Sequence, residues 1–381
     1  MRKIFETIDK NEKSYVDFLV DVCNIESPTS YKEGVDMAGQ YFIDKAKALG
    51  FEVEVFEQNV SGNVVCITMN PNAKKPMVVF SGHLDTVHSI GLFGYPPTTV
   101  KNGKIYGPGA KDCKGGCVLA FCAMEELYRA GYKDRPVRLI LQSDEETSSK
   151  QSALETVKYM VEKSQGAIAF INLEGGRDGY ITTQRKGILR VNFNVEGISC
   201  HSSICDEGSS AIVECAHKII ELEKHKDRNH ITCNCGIISG GTTANTVPQK
   251  CSFLADFRFT DTNEYEQVLN LIDDVANKVY VSGCTCKTER VSFRPPMEKS
   301  EKTIQLFEKL NQIFIKNGFG KHESNFSFGG SDAAYMVQAG IACVDNLGIE
   351  GDRIHSKDEF ANVGYMCKGI KKLVSIVLDI D

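Results

Sequence analysis

Short runs of apolar residues recur along the chain, and each is followed by a polar, acidic or glycine-rich segment. The apolar runs comprise residues 77–80, 137–141, 167–171 and 341–344. Uninterrupted runs of this length are typical of strands that are buried on both faces of a parallel sheet. Helical spacing of apolar residues between the runs, as in 116–130, predicts helices that alternate with these strands. The pattern predicts an α/β fold with a mostly parallel sheet and helices on both faces.

The pattern changes after residue 190. Residues 191–195 and 251–259 alternate between apolar and polar side chains, as half-exposed strands do. Two helical stretches and two further strand-like stretches accompany them, at 211–224, 265–279, 231–238 and 284–291. The resulting order, β-α-β-β-α-β, is that of a ferredoxin-like α+β domain with its helices on one face of an antiparallel sheet.

The α/β pattern returns after Pro295–Pro296 with a predicted helix at 303–316. We therefore predict a discontinuous α/β domain, residues 1–189 and 295–381, interrupted by an inserted domain at 190–294. Ligands of α/β sheets bind outside the carboxyl ends of the strands. The polar segments that follow the apolar runs are thus expected to share one site.

Composition narrows the range of functions. The 381 residues include 44 Lys and Arg against 50 Asp and Glu, and the net charge of −6 disfavours a nucleic-acid binder. No apolar stretch approaches the ~20 residues of a membrane span, and the first residues show helical spacing instead of a signal peptide. We expect a cytoplasmic protein whose 15 cysteines are reduced and mostly buried. The spacings Cys233-x-Cys235 and Cys284-x-Cys286 are not typical of structural zinc.

Histidines and a surplus of acids occur in the segments expected to share the site: His83, Asp85, Asp112, Glu145, Glu146, Glu174 and His355. Acids that cluster at the end of a buried sheet need compensating positive charge, and a divalent ion such as zinc supplies it. The number of carboxylates fits a two-metal site. Each element alone has another interpretation, because a His-x-Asp pair is often a structural hydrogen bond and a Glu-Glu pair is often a solvated loop. Their combination at successive strand ends favours the metal site.

The local spacing indicates how some of these side chains cooperate. On extended backbone, residues two apart point to the same side, so Asp85 can accept a hydrogen bond from the second ring nitrogen of His83. Glu145 and Glu146 are adjacent and point in different directions. One of them can bind metal while the other accepts a proton. Asp112 lies in a glycine-rich turn that lets the backbone approach a buried centre.

Taken together, these motifs resemble the M20 family of di-zinc metallopeptidases, and most closely its bacterial glutamate carboxypeptidases of the carboxypeptidase G2 type. The motifs that carry the resemblance are S-G-H-L-D-T-V (81–87), G-x-x-D-x-K-G-G (109–116), D-E-E (144–146), N-L-E-G (172–175), G-x-x-x-H-S (197–202), N-x-V-P (245–248), D-F-R (256–258), G-G-S-D-A-A-Y (329–335) and His355-Ser356. The resemblance extends from about residue 15 to residue 378.

The resemblance implies a role for each motif residue. Asp112 would bridge two divalent ions, most simply Zn²⁺, with Co²⁺ or Mn²⁺ as alternatives. One ion would add His83 and Glu174 as ligands, and the other Glu146 and His355. Glu145 would be the general base that activates a metal-bridged water, and Asp85 would orient His83.

The resemblance also implies that the inserted domain is a lid through which the protein forms a homodimer. The family's oxyanion and substrate-carboxylate positions correspond to His201, Asn245, Arg258, Arg294, Gly329 and Gly330. His201 acts across the dimer in some relatives. An arginine such as Arg258 suits this task because its guanidinium can bind a carboxylate with two hydrogen bonds.

These expectations define a metal-dependent hydrolase that cleaves the amide bond next to a C-terminal amino acid, with Glu as a candidate leaving residue. The alternative on the same scaffold is an N-acyl amino acid deacylase or dipeptidase. Glu at position 174 resembles the carboxypeptidase and deacylase branches. A non-catalytic protein that reuses the fold is a third interpretation, which the complete set of ligand and base positions disfavours. Cys113 and Thr147-Ser148-Ser149 depart from the usual family pattern.

Overall fold

The four apolar runs form neighbouring parallel strands in the computed structural model, which describes residues 1–381. The chain folds as two units. The first consists of Met1–Thr183, Lys299–Phe326 and Ser331–Asp381, and the second of Gln184–Glu298 and Ser327–Gly330. The segment 190–294, predicted as an inserted domain, lies within the second unit.

Ten α-helices and sixteen strands make up the two units. The helices are α1 (Arg2–Lys10), α2 (Glu12–Cys23), α3 (Lys32–Ala48), α4 (Lys114–Arg129), α5 (Glu155–Lys163), α6 (Ala211–Leu222), α7 (Thr262–Asn277), α8 (Glu301–Lys316), α9 (Ala333–Gln338) and α10 (Met366–Asp379). The strands are β1 (Glu52–Phe56), β2 (Val64–Met69), β3 (Val78–His83), β4 (Thr99–Lys101), β5 (Lys104–Tyr106), β6 (Val137–Gln142), β7 (Ala169–Asn172), β8 (Tyr180–Arg185), β9 (Gly187–Glu196), β10 (Thr232–Gly240), β11 (Lys250–Phe259), β12 (Thr285–Arg294), β13 (Glu323–Ser327), β14 (Cys343–Val344), β15 (Gly351–Asp352) and β16 (Phe360–Asn362).

The main sheet of the first unit has six strands in the order β1-β2-β6-β3-β7-β14. The strands β6, β3, β7 and β14 are mutually parallel, whereas β1 and β2 add an antiparallel edge. In β6, Leu139 and Leu141 join the core that contains α4, while Ile140 points the other way and is equally inaccessible to solvent. Both faces of the sheet are therefore covered, and the predicted α/β fold is confirmed.

A smaller sheet in the first unit, in the order β15-β16-β5-β4, was not predicted from the sequence. Its strands contain two or three residues each, which is too short for an alternating pattern to be recognised. The sheet nevertheless matters for the site. It pairs β16 with β5, so the loop that carries His355 is fixed beside the turn that carries Asp112.

The second unit contains an antiparallel sheet in the order β10-β11-β9-β12, against which α6 and α7 pack. Apolar side chains alternate along β9 and β11 and face the helices. Phe193 and Phe253 lie directly opposite each other on these strands, with stacked rings 4.6 Å apart. The order and pairing of the strands confirm the predicted ferredoxin-like arrangement.

Two general properties of the chain concern its helices and its cysteines. No helix combines the length and the apolar character that a membrane crossing requires. Eleven of the fifteen cysteines are buried, three are partly buried, and Cys205 is exposed. The thiols thus serve largely as small apolar side chains of the core.

Candidate metal centre

The ends of three adjacent parallel strands supply most of the candidate ligands. His83 is the last residue of β3, Glu146 lies in a short 3-10 turn after β6, and Glu174 follows β7 by two residues. Because β6, β3 and β7 are neighbours and run in the same direction, their carboxyl ends meet at one edge of the sheet. The sheet thus brings together ligands that are far apart in the sequence.

The Asp112 carboxylate lies between two pairs of side chains. Its Oδ1 is 3.4 Å from Nε2 of His83, which in turn is 3.8 Å from Oε1 of Glu174. Its Oδ2 is 3.2 Å from Nε2 of His355, which is 3.4 Å from Oε2 of Glu146. Each oxygen of Asp112 therefore faces one histidine, and each of these histidines also lies close to one glutamate, as the resemblance implies for a bridging carboxylate.

The donor set fits divalent metal ions. The Nε2 atom of His83 is buried and makes no hydrogen bond. Potential ligand atoms of His83, Asp112 and Glu146 lie within 4.8 Å of one another, and those of His83, Cys113 and Glu174 do so as well. A buried imidazole nitrogen directed at carboxylate oxygens is an arrangement that zinc and similar ions satisfy.

The metal-free site is electrostatically unbalanced. Burial raises the pKa of Glu146 to about 7 and raises the pKa of Glu174 well above its ordinary value. Hydrogen bonds to Asp112 and Glu146 raise the pKa of His355 to about 10. Burial opposes ionisation of Asp112, but its contacts with His355 and His83 outweigh burial and lower the pKa of the Asp112 carboxyl. Without metal, the raised pKa values favour the protonated forms of Glu146 and Glu174, whereas Asp112 is stabilised as a carboxylate by the two histidines. Bound cations would supply the compensating positive charge instead.

Asp85 organises two neighbouring loops. Its fully buried carboxylate accepts hydrogen bonds from the main-chain N–H groups of Glu145 and Glu146, at 3.2 and 3.1 Å, and from the Thr29 hydroxyl at 2.8 Å. The nearest contact between Asp85 and His83 is made by the main chain of Asp85, whereas the predicted one involves its carboxylate. Nδ1 of His83 is 2.9 Å from the main-chain carbonyl oxygen of Asp85 and 3.4 Å from its carboxylate, because β3 ends at His83 and the following backbone turns.

Glu145 is buried in the same cluster. Its negative charge lies close enough to Glu146 and Glu174 to raise the pKa of both carboxyl groups. Asp144, the first acid of the D-E-E motif, instead stabilises the loop that follows the motif. Its carboxylate accepts hydrogen bonds from the Thr156 hydroxyl at 2.8 Å and from the N–H of Ser152 at 3.0 Å.

The glycines after Asp112 permit a close approach of α4 to the sheet. A Cβ atom on Gly116 would lie 2.1 Å from the Leu173 carbonyl oxygen, so no larger residue fits there. The same carbonyl accepts a hydrogen bond from the Cys113 thiol at 3.0 Å. Lys114 is fully buried, and its Nζ donates a hydrogen bond to Ile25 O at 2.6 Å, just beyond the end of α2. This motif lysine therefore has a structural role at a helix C-terminus.

The remaining predicted residues belong to the second unit and form separate groups there. His201 is exposed, and the N–H of the next residue, Ser202, donates to the main-chain oxygen of Asn245. Arg258 forms an ion pair with Asp256 at 2.6 Å. A Cβ atom on Gly330 would lie 2.9 Å from Cδ of Arg294, so these two positions pack closely.

Sequence reasoning missed several residues that contact the predicted site residues. Arg185 donates hydrogen bonds to the carbonyls of Gly329 and Gly330 in the second unit. Thr29 supports Asp85, and Glu359 supports the turn that carries Asp112. The only available signal for Glu359 was its spacing of four residues from His355.

Comparison with known proteins decides the family. The model of peptidase family M20/M25/M40 matches residues 79–379. The chain belongs to this family. It is 22% identical over 382 residues to carboxypeptidase G2 of Pseudomonas sp. (strain RS-16), covering 99% of this chain and 92% of that protein. It is also 22% identical to succinyl-diaminopimelate desuccinylase of Rickettsia felis (strain ATCC VR-1525 / URRWXCal2), covering 93% and 96%.

A solved structure shares the fold of this M20 chain. The M20 family metallo-carboxypeptidase Sso-CP2 from Sulfolobus solfataricus superimposes with a TM-score of 0.76 at 19% identity, covering 96% of this chain and 98% of that one. Membership confirms the predicted family and makes this protein a metal-dependent M20 hydrolase.

We expect His355 and Glu146 to stabilise the metal-free protein less as the pH rises. His355 contributes stability fully below its ordinary pKa of 6.5, and this contribution is lost as the pH rises through its folded-state pKa of about 10. Glu146 keeps its proton up to a pKa of about 7 in the folded state but only to its ordinary 4.5 when unfolded, which acts in the same direction.

The measurement is the thermal unfolding midpoint of chelator-treated protein between pH 5 and pH 10. His355→Gln should flatten the upper part of the profile. A His355→Gln variant whose midpoint follows the same pH profile as that of the unsubstituted metal-free protein would contradict the expectation.

Proposed function

We propose that this M20 hydrolase is a carboxypeptidase with two Zn²⁺ ions, which removes a C-terminal amino acid from a small peptide or N-acyl conjugate. The observation that carries the proposal is the Asp112 carboxylate, whose two oxygens each face one histidine, and each of these histidines also lies close to one glutamate. His83 and Glu174 would hold one ion, and His355 and Glu146 the other. When bound, the ions supply Lewis acidity toward the scissile carbonyl and lower the pKa of water.

The chain's own residues would move the proton. Glu145 is buried beside both histidine-glutamate pairs, and its carboxylate would accept a proton from the attacking water and deliver it to the leaving nitrogen. Asp85 would keep Glu145 in place through the main-chain hydrogen bond described above. His201 and Asn245 would contribute to the oxyanion and substrate contacts.

Substrate preference rests on the cationic residues of the second unit. Arg258 and Arg294, with the Gly329-Gly330 turn, would bind the free carboxylate of the leaving amino acid. Glu is the proposed leaving residue because the motifs resemble those of glutamate carboxypeptidases, and a carboxypeptidase is among the relatives. N-acyl amino acid deacylation is the second candidate, since succinyl-diaminopimelate desuccinylase is another relative with nearly complete coverage. The free, mostly buried thiols suit a cytoplasmic location.

Glu145→Gln tests the assigned base. The substitution preserves size and hydrogen bonding but removes the proton acceptor, so kcat should fall by about 10²- to 10⁴-fold. Metal content measured by mass spectrometry should remain that of the unsubstituted protein. Near-normal turnover in this variant would exclude Glu145 as the base, whereas loss of both activity and metal would reassign it as a ligand.

Arg258→Ala tests the carboxylate contact and the substrate class together. With a panel of dipeptides and N-acyl amino acids, loss of a charge-assisted hydrogen bond should raise KM about 10-fold or more for substrates with a free α-carboxylate. Substrates with an amidated C-terminus should be unaffected. Arg190→Ala is the matched control, because Arg190 pairs with the same Asp256. Equal KM values in both variants would remove Arg258 from the substrate site.

We further propose that the second unit forms a homodimer through β10 and α6. The edge strand β10 exposes Ile237 and Ile238, which are 62% and 53% accessible, and the adjacent α6 exposes Ile220 at 60%. An edge strand beside exposed apolar side chains is an energetically costly surface, and pairing with a second copy would cover both.

Ile237→Asp tests the dimer by placing charge on this edge. Light scattering at micromolar concentration should give a dimer for the unsubstituted protein and a monomer for the variant. Val291→Asp, on the opposite edge strand β12, should leave the dimer intact. A monomeric unsubstituted protein, or a variant that remains dimeric, would contradict the proposed interface.

A further inference from the structure

Glu359 is a fully buried acid that lies just outside the ligand set. Its Oε1 accepts two hydrogen bonds, from the main-chain N–H groups of Lys111 and Asp112, at 2.8 and 2.9 Å. Its Oε2 is 2.6 Å from Nε2 of His88. Both carboxylate oxygens are therefore used, and the main-chain contacts include the residue whose side chain lies between the two histidine-glutamate pairs.

These contacts join three segments that carry candidate ligands. Glu359 follows His355 by four residues, and its main-chain N–H donates to the carbonyl of Ser356. Its main-chain oxygen accepts the N–H of Gly107, at the start of the turn that leads to Asp112. His88 follows His83 by five residues. One side chain thus connects the loops of His83, Asp112 and His355.

His88 completes the arrangement from the third segment. It is 5% exposed, and its ring packs edge-on against Phe93 with centroids 5.0 Å apart. A histidine that is both packed and hydrogen-bonded holds the Glu359 carboxylate in one orientation. An uncompensated carboxylate at this depth would be strongly unfavourable, so the main-chain donors and His88 are needed together.

We infer that Glu359 is a positioning residue of the metal centre. It fixes the main chain of Asp112 and thereby the position of the Asp112 carboxylate. His88 orients the Glu359 carboxylate. The inference rests on the proposed metal centre. Asp112 faces both histidine-glutamate pairs, so a displacement of its main chain would weaken the binding of both ions. Residues that orient metal ligands typically contribute 10- to 100-fold to metal affinity.

The test measures metal binding in the absence of substrate. Chelator-treated protein is titrated with Zn²⁺ against a chromophoric competitor, and the visible absorption of the Co²⁺-substituted protein reports ligand geometry. Glu359→Ala should raise the dissociation constants of both ions about 10- to 100-fold and alter the Co²⁺ spectrum. Glu359→Gln keeps an oxygen that can accept the two N–H groups, and it should restore most of the affinity.

Two further variants separate positioning from folding. Asp358→Ala is the matched control, because Asp358 is the neighbouring acid and its side chain is 48% exposed; it should bind metal normally. His88→Gln should weaken binding less than Glu359→Ala does, and it serves as the test if Glu359→Ala does not fold. Unchanged Zn²⁺ affinity and Co²⁺ spectra in both Glu359→Ala and His88→Gln would overturn the inference. The proposed reaction is tested separately, by the turnover of Glu145→Gln.

Discussion

Negative charge at the carboxyl edge of a buried sheet is the constraint on which the first unit depends. Asp112, Glu146 and Glu174 each lie within 3.8 Å of His83 or His355, and their side chains have little access to water. Burial makes the ionised forms of these acids unfavourable unless positive charge compensates them, and it therefore raises the pKa of Glu146 and Glu174. The two histidines provide part of the compensation in the metal-free protein, and divalent ions would provide the rest. The fold must therefore hold like charges together until the cations bind.

The protein meets this demand with main-chain hydrogen bonds to two further buried carboxylates. Asp85 accepts the N–H groups of Glu145 and Glu146, and Glu359 accepts those of Lys111 and Asp112. In each case two successive N–H groups bind one acid, so the backbone of a ligand loop is fixed independently of the metal. Hydrogen bonds to charged acceptors are stronger than neutral ones. The precision of the candidate centre thus depends on acids that bind no ion themselves.

Much of this arrangement could be predicted from the sequence. The apolar runs indicated the parallel strands, and their order placed His83, Glu146 and Glu174 at one edge because parallel strands align their carboxyl ends. The contributions of Thr29, His88 and Glu359 could not be predicted, since each depends on a tertiary contact between distant segments. The small sheet also escaped prediction because its strands are too short to show a period. The contact of His83 with the Asp85 carbonyl depends on the turn after β3, which local spacing does not specify.

The two halves of the candidate centre differ in their access to solvent. The side chain of His83 is 2% exposed, whereas that of His355 is 52% exposed. The backbone of His355 has a left-handed φ of 60°. A left-handed conformation costs a residue with a side chain about 1–2 kcal/mol, and it persists only where surrounding contacts enforce it. Here the contacts are those of Glu359, which tie the His355 loop to the turn before Asp112. The solvent-exposed half of the candidate centre thus owes its geometry to the same buried acid that holds the main chain of Asp112, so one candidate ligand can face solvent and still keep its position.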